Sequence, residues 1–225
     1  MYSILNLCYY VRLLDDAMDG HQPAGPLLAA LSFFHSRYQD AYRDMFGPSD
    51  AFWGRFFELN DLACDLTARD LVLKDVTRED FETIAARKSC AALIAMAAIA
   101  MHHGRMDAYP AWEDFWYAFG RWNQMRDDLA DWHRDLKNGM DTYLLSEARR
   151  RKHPEEDVVH WLLREGFDWA GDTLAGFGLR ALECARCLGS VDVETYTARR
   201  VDEVSAQIAA LKNAMAALDA AAGAR

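Results

Sequence analysis

The sequence predicts an all-α fold, and three observations carry that expectation. Apolar residues recur three or four positions apart, as in Phe52, Phe56, Leu59 and Ala63, which places them on one face of a helix. No stretch alternates in the way a half-buried strand requires. The five prolines (Pro23, Pro26, Pro48, Pro110 and Pro154) all stand where a helix can start or stop, with long proline-free segments between them. With 52% hydrophobic and 27% charged residues, the 225-residue chain can bury a substantial core. One helical domain over residues 1–220 is expected, with residues 221–225 as a fraying tail.

The first helix should run to about residue 20, where Gly20-His21-Gln22-Pro23-Ala24-Gly25-Pro26 stops it. A second covers residues 27–46 and closes at Gly47-Pro48, after which Ser49 or Asp50 is placed to cap a third. Thr77 to Asp80 has the spacing of a capping box with a short aspartate arm. It opens a helix expected to reach about residue 103, whose middle, residues 91–100, is apolar on all sides, as at the centre of a bundle. The next helix starts near Ala111 and ends at a polar turn marked by Gly139. Shorter helices extend to about Gly166 and Gly189, and a last one covers residues 192–218, fraying from about Ala214.

A net charge of −10 with no basic stripe argues against a nucleic-acid partner. The five cysteines (Cys8, Cys64, Cys90, Cys184 and Cys187) are odd in number and mostly set in apolar helical segments, so they read as reduced core residues of a cytoplasmic protein. Cys184-x-x-Cys187 is a lone pair without a second pair or a strand-helix context. No signal peptide is expected, since the first aspartate helix begins almost at once, and no transmembrane segment either, since the most apolar run, residues 90–101, is too short to span a bilayer.

Two acidic motifs stand out: Asp15-Asp16-Ala17-Met18-Asp19 and Asp127-Asp128-Leu129-Ala130-Asp131, each spaced D-D-x-x-D within an apolar helical pattern. Positions four apart share a helix face, so Asp15 lies beside Asp19 and Asp127 beside Asp131, with no cation at i+4 of either Asp15 or Asp127. Like charges at that spacing disfavour a bare helix. A hard divalent cation held by one or two carboxylates and phosphate oxygens would compensate them. The plainer alternative is a pair of solvated acidic faces in a chain with thirty-five acidic residues.

Residues 77–89, Thr-Arg-Glu-Asp-Phe-Glu-Thr-Ile-Ala-Ala-Arg-Lys-Ser, followed by an apolar helix and Gln124-x-x-Asp127-Asp128-x-x-Asp131, resemble the trans-prenyl diphosphate synthases. These belong to the class I isoprenoid synthase superfamily. Asp15-Asp16-x-x-Asp19 matches their first aspartate-rich motif, and Asp135-Leu136-x-x-Gly139-x-x-Thr142-Tyr143 the turn after the second. The resemblance implies a helical bundle around a deep central pocket, lacking the helices that would precede Asp15. It implies Mg²⁺ held by Asp15, Asp16 and Asp19 from one wall and Asp127, Asp128 and Asp131 from the other. Lys88, Ser89 and Gln124 would bind diphosphate, with Lys88 and Gln124 serving catalysis, and Tyr9 and Tyr10 would form a pocket floor limiting products to about fifteen to twenty carbons by steric exclusion. The substrates implied are an allylic prenyl diphosphate and isopentenyl diphosphate, in a homodimer or a heterodimer with a related synthase. Lys88 as a solvated surface lysine, and Tyr9 and Tyr10 as ordinary core aromatics, are the plainer alternatives.

The sequence also departs from that family. Its arginine pair after the first motif aligns with Ala24 and Gly25, the lysine of the later loop with Met140, and only fourteen residues precede Asp15, where the basic site for isopentenyl diphosphate should lie. Ionisation of an allylic diphosphate is supported better than condensation. A class I terpene cyclase needs only ionisation, and Asp127-Asp128-x-x-Asp131-x-x-x-Asp135 fits the cyclase second motif loosely. Squalene and phytoene synthases are a more distant likeness. A regulatory, non-catalytic partner of a synthase is the reading from another class. A di-iron bundle wants two Glu-x-x-His motifs, and only Asp157-Val158-Val159-His160 comes near. Tyr196, Arg199 and Arg200 suit a basic lid or, more simply, a solvated helix face.

Overall fold

The computed structural model describes the backbone of residues 2–18 and 24–223, and their side chains except at residues 2–4, 15, 16, 18, 24 and 214–223. Helix makes up 83% of the structure and the described residues include no strand, the all-α class expected. In chain order the helices are α1 (Tyr2–Met18), α2 (Ala24–Met45), α3 (Ala51–Asp70), α4 (Arg78–Asp80), α5 (Leu93–His102), α6 (Tyr109–Lys137), α7 (Tyr143–Arg151), α8 (Val158–Trp161), α9 (Phe167–Cys187) and α10 (Val191–Gly223).

The chain groups into two compact units, Met1–Asp61 with Ala91–Tyr109, and Leu62–Cys90 with Pro110–Arg225. In the first, α1 packs along α2. Its core is aromatic: Tyr38, Phe52 and Phe56 are buried, Tyr38 stacks on Phe56 at 5.8 Å, and Phe46 stacks on Phe52 at 4.2 Å. Ring pairs of this kind add about 0.5–1.5 kcal/mol beyond the area they bury. Asp50 stands at the start of α3 as expected, but its carboxylate reaches back to accept the Gly47 N–H at 2.6 Å, while its carbonyl accepts the Trp53 N–H at 3.1 Å.

In the second unit α9 packs along α10, and Phe81, Trp122, Leu144, Leu145, Trp161 and Leu174 lie in one buried cluster. The loop leading into α4 is pinned from α7. The Val76 N–H donates to the buried Ser146 hydroxyl at 2.9 Å, and Arg150 donates to the Val76 carbonyl at 2.7 Å while pairing with Asp75. These contacts hold Asp75 in the left-handed region at φ 47°, which a non-glycine residue rarely adopts. The capping box forms as the sequence implies: the Thr77 hydroxyl accepts the Asp80 N–H at 3.1 Å, and the Asp80 carboxylate accepts the Thr77 N–H at 3.0 Å.

The helix expected to run on unbroken from there does not. After α4 comes a π turn, Phe81–Ala85, then a 3₁₀ turn, Lys88–Ala92, and only then α5. The physical reason is the neighbour, α6. A Cβ on Gly120 would stand 2.7 Å from the Ala86 carbonyl oxygen, so α6 and the broken segment touch backbone to side-chain-free backbone. The Trp116 indole N–H donates to the Ser89 carbonyl at 3.2 Å, and the π turn meanwhile buries Phe81, Ile84 and Ala85. Among the described residues, the helical stretch Arg78–His102 is long and apolar enough to cross a membrane by length and composition, its most apolar 18-residue window having a mean hydropathy of 1.6. The apolar run at residues 90–101, by itself too short to span a bilayer, is only part of that stretch. The stretch is interrupted twice and more than half of its most apolar window is buried within the protein, as in a core helix.

The cysteines correct one expectation. None of the five is in a disulfide, but Cys8, Cys64 and Cys187 are exposed, and only Cys90 and Cys184 are buried core residues. Cys184 and Cys187 form no disulfide.

The Gly120 contact yields a stability prediction. Gly120→Ala forces backbone apart and should cost about 1–3 kcal/mol. Gly176→Ala, in α9 with no heavy atom within 4 Å of the added Cβ, should instead gain up to about 1 kcal/mol of helix propensity. Urea denaturation of the two variants checks both signs.

Candidate functional site

The second acidic motif sits on α6, a helix of 29 residues and about 43 Å. Pro110 falls in its first turn, where a missing N–H costs nothing. Its C-terminus is a Schellman turn. Gly139 takes φ 68°, its N–H donates to the Leu136 carbonyl at 3.2 Å, and the Met140 N–H donates to the Asp135 carbonyl at 2.9 Å. Thr142 then caps α7 by accepting the Leu145 N–H at 3.3 Å. The segment Asp135 to Tyr143 is therefore a helix stop followed by a helix start, with Met140 exposed between them.

Trp122 and Met125 turn one side of α6 into the core, and Asp128 goes in with them, only 4% exposed. The Gln124 amide donates to Asp128 Oδ1 at 2.9 Å, one helical turn earlier. Asn123 repeats the arrangement on the adjacent face, donating to Asp127 Oδ2 at 3.1 Å. Burial pushes the Asp128 carboxyl up to about 7. The Gln124 hydrogen bond and the charge of Lys88 pull it back down, while Asp135 and Asp70 raise it further.

Lys88 comes from the 3₁₀ turn that the Gly120 contact holds against α6. Its ammonium lies 2.6 Å from Asp70 Oδ2, at the end of α3, and both side chains are about two-thirds or more withdrawn from solvent. Lys88 is thus not the solvated lysine of the plainer reading. Asp70, Lys88, Gln124, Asp128 and Asp135 make one electrostatically coupled group within the second unit. Asp70 is the member that sequence reasoning missed: it belongs to no motif, and its place depends on where α3 ends relative to a turn eighteen positions later.

The other predicted residues are less drawn in. Asp127 is ion-paired to Arg126 at 2.6 Å and Asp131 to Arg134 at 2.8 Å, each nearly half exposed. The compensation that seemed absent at i+4 is therefore supplied by neighbouring arginines at i−1 and i+3. Ser89 is exposed, its carbonyl taken by Trp116. In the first unit, Tyr9 is 58% exposed and stacks on Phe34 at 5.2 Å, while Tyr10 packs against His35 and Tyr38. The Asp15 and Asp16 side chains, and Asp19 altogether, lie outside the described residues, as does the side chain of Ala24. Asp157 caps α8 by accepting the His160 N–H at 2.7 Å, which accounts for that near-motif. Arg199 and Arg200 both pair with Glu203, a solvated face rather than a lid.

Among the described residues no three acidic, histidine or cysteine side chains come together as a preformed metal cage. Mg²⁺ needs fewer, since it keeps waters and takes one or two carboxylates plus phosphate oxygens. Asp128 suits that demand. A carboxyl that burial keeps partly protonated near neutral pH would release that proton to water when a bound cation supplies the missing countercharge. Compared with protein-family models, with curated proteins and with solved structures, the chain matches none significantly.

The raised Asp128 carboxyl makes a pH prediction for the metal-free protein. Its folded value, about 7, exceeds the ordinary aspartate value of about 4, so between these pH values the folded state holds the extra proton. Its contribution to stability is intact below about pH 4 and is lost as pH rises through 7, by at most about 1.4 kcal/mol per pH unit. Asp128→Asn, which still accepts from Gln124, should flatten that slope in urea melts run in chelator. Lys88→Met removes the charge that favours ionisation and should shift the Asp128 titration upward, read from carboxyl carbon NMR shifts.

Proposed function

We propose that this chain is a Mg²⁺-dependent class I isoprenoid enzyme that ionises an allylic prenyl diphosphate, of the trans-prenyl diphosphate synthase type. The single observation carrying the proposal is Asp128, a buried carboxyl steadied by Gln124 and electrostatically coupled to Lys88, in the order of residues that resembles that family. A helical chain around that group is consistent with the superfamily's bundle.

Asp128 and its neighbours Asp127 and Asp131 would hold the metal from α6. The resemblance alone gives Asp15, Asp16 and Asp19 the same task. What a bound Mg²⁺ would supply is Lewis-acid neutralisation of the departing diphosphate. The chain's own residues do the rest. Asp128 exchanges its proton for the countercharge, and Gln124 keeps the carboxylate oriented. Lys88, a compact point charge on a flexible stem, leaves Asp70 for a phosphate oxygen. The allylic C–O bond then breaks with both electrons on oxygen.

Met140 and the Ala24-Gly25 pair favour a second outcome at the same site, ionisation without condensation, as in a terpene cyclase. Met140 stands exposed in the turn after α6, where the family carries a cation.

Allylic diphosphates offered with Mg²⁺, with and without isopentenyl diphosphate, separate the readings. Product only with both substrates means a synthase, and diphosphate release without the second substrate means a cyclase. Activity that emerges only on adding a related synthase chain means a regulatory subunit. For an enzyme, Asp128→Asn and Lys88→Met should each lower turnover by on the order of 100-fold or more, in the range of losing an electrostatic stabiliser. Full turnover by Asp128→Asn, or indifference to chelator, would end the proposal.

A further inference from the structure

Away from the acidic group, a cavity of about 410 Å³ opens between the π turn, α6 and α9 within the second unit. That volume lies in the range of small-molecule sites, about 300–1,000 Å³. Its wall carries three arginines, Arg78, Arg121 and Arg180, against two carboxylates, Glu82 and Asp172, a local positive excess in a chain of net charge −10.

Glu82 is shared between two of the arginines. Its Oε1 accepts from Arg78 Nε at 2.7 Å and its Oε2 faces Arg121 Nε at 3.4 Å. Asp172 is largely solvated and lies 3.7 Å from Lys212, and Arg180 pairs with Glu183. Arg121 is the telling member. Among the described residues its guanidinium meets only that one carboxylate oxygen, and its Nε is buried without a hydrogen bond. A guanidinium carries five donors in a rigid fork, and with Arg121 lining the cavity and its side chain about 30% exposed, the donors beyond that Nε are open to a ligand there. Converging guanidinium groups match the oxygens of a phosphoryl group better than the two of a carboxylate. The guanidinium of Arg78 is also held over the Phe177 ring, 5.7 Å from its centroid, which keeps that cation at the cavity rim.

We infer that this cavity is a binding site for a small phosphorylated molecule, engaged by Arg121 and Arg78 and independent of any divalent metal. It is separate from the Asp128 group and does not rest on the proposed activity.

Gly176 provides the means to test it. It lines the cavity, and a Cβ there meets no heavy atom within 4 Å, so a side chain can be added at the cavity wall without its Cβ displacing packed neighbours. The experiment is calorimetric titration of the full chain with phenyl phosphate in the presence of chelator. The native protein should bind saturably. Gly176→Leu and Arg121→Gln should each weaken binding at least 10-fold while retaining a cooperative thermal transition, and Lys88→Met should bind like the native chain. Absence of saturable binding by the native chain overturns the inference. So does binding that survives both cavity variants, or binding lost in Lys88→Met but kept in Arg121→Gln, which would assign the phosphate to the Asp128 group. If a cavity variant fails to fold, phosphate-induced NMR shifts of the native chain decide, expected at Arg121 and Gly176.

Discussion

A carboxylate taken out of water has to be compensated, and the second unit is built around one that is compensated only in part. Asp128 is carried inward because α6 must bury Trp122 and Met125, and its carboxyl travels on the same helix. One amide and one ammonium favour its charge while two further carboxylates oppose it. Burial outweighs the favourable contacts, so the group stays poised between its acid and its base near neutral pH. A fully paired buried carboxylate would sit well below that range, and a fully exposed one would have its ordinary value.

The partial compensation of Asp128 depends in turn on the break after α4. Lys88 reaches the group only because a π turn and a 3₁₀ turn replace regular helix, and those turns are accommodated by the missing side chain at Gly120. π turns inserted in helices recur at functional sites because they re-aim a few side chains without ending the helix. Here the turn buries Phe81 and Ile84, and the 3₁₀ turn that follows presents Lys88 to Asp70. The lysine's position is thus coupled to core packing, and the acidic face of α6 to the lysine.

Much of the local structure was legible in the residues. The capping box at Thr77 and Asp80, the helix stop at Gly139 and the cap at Thr142 are short-range signals, satisfied by atoms within five residues of one another. The second acidic motif likewise marked the helix that carries Asp128. What it did not reveal is that Asp127, Asp128 and Asp131 have three different surroundings. Spacing places carboxylates on a helix face, whereas burial depends on what packs against that face. Asp70, the exposure of Cys8, Cys64 and Cys187, and the arginine-lined cavity were invisible for the same reason: each is a matter of which distant segments meet.

The amino-acid sequence by itself therefore determined the helical class, most helix ends and the order of the chemistry-bearing residues, because periodicity, caps and left-handed glycines act over a turn or two of chain. Tertiary structure alone decided where the helix after Thr77 breaks, which aspartate loses its water and which arginine is left with donors to spare. Those outcomes are set by close packing between segments far apart in sequence, where the absence of one Cβ at Gly120 weighs more than the propensities of the residues it lets in.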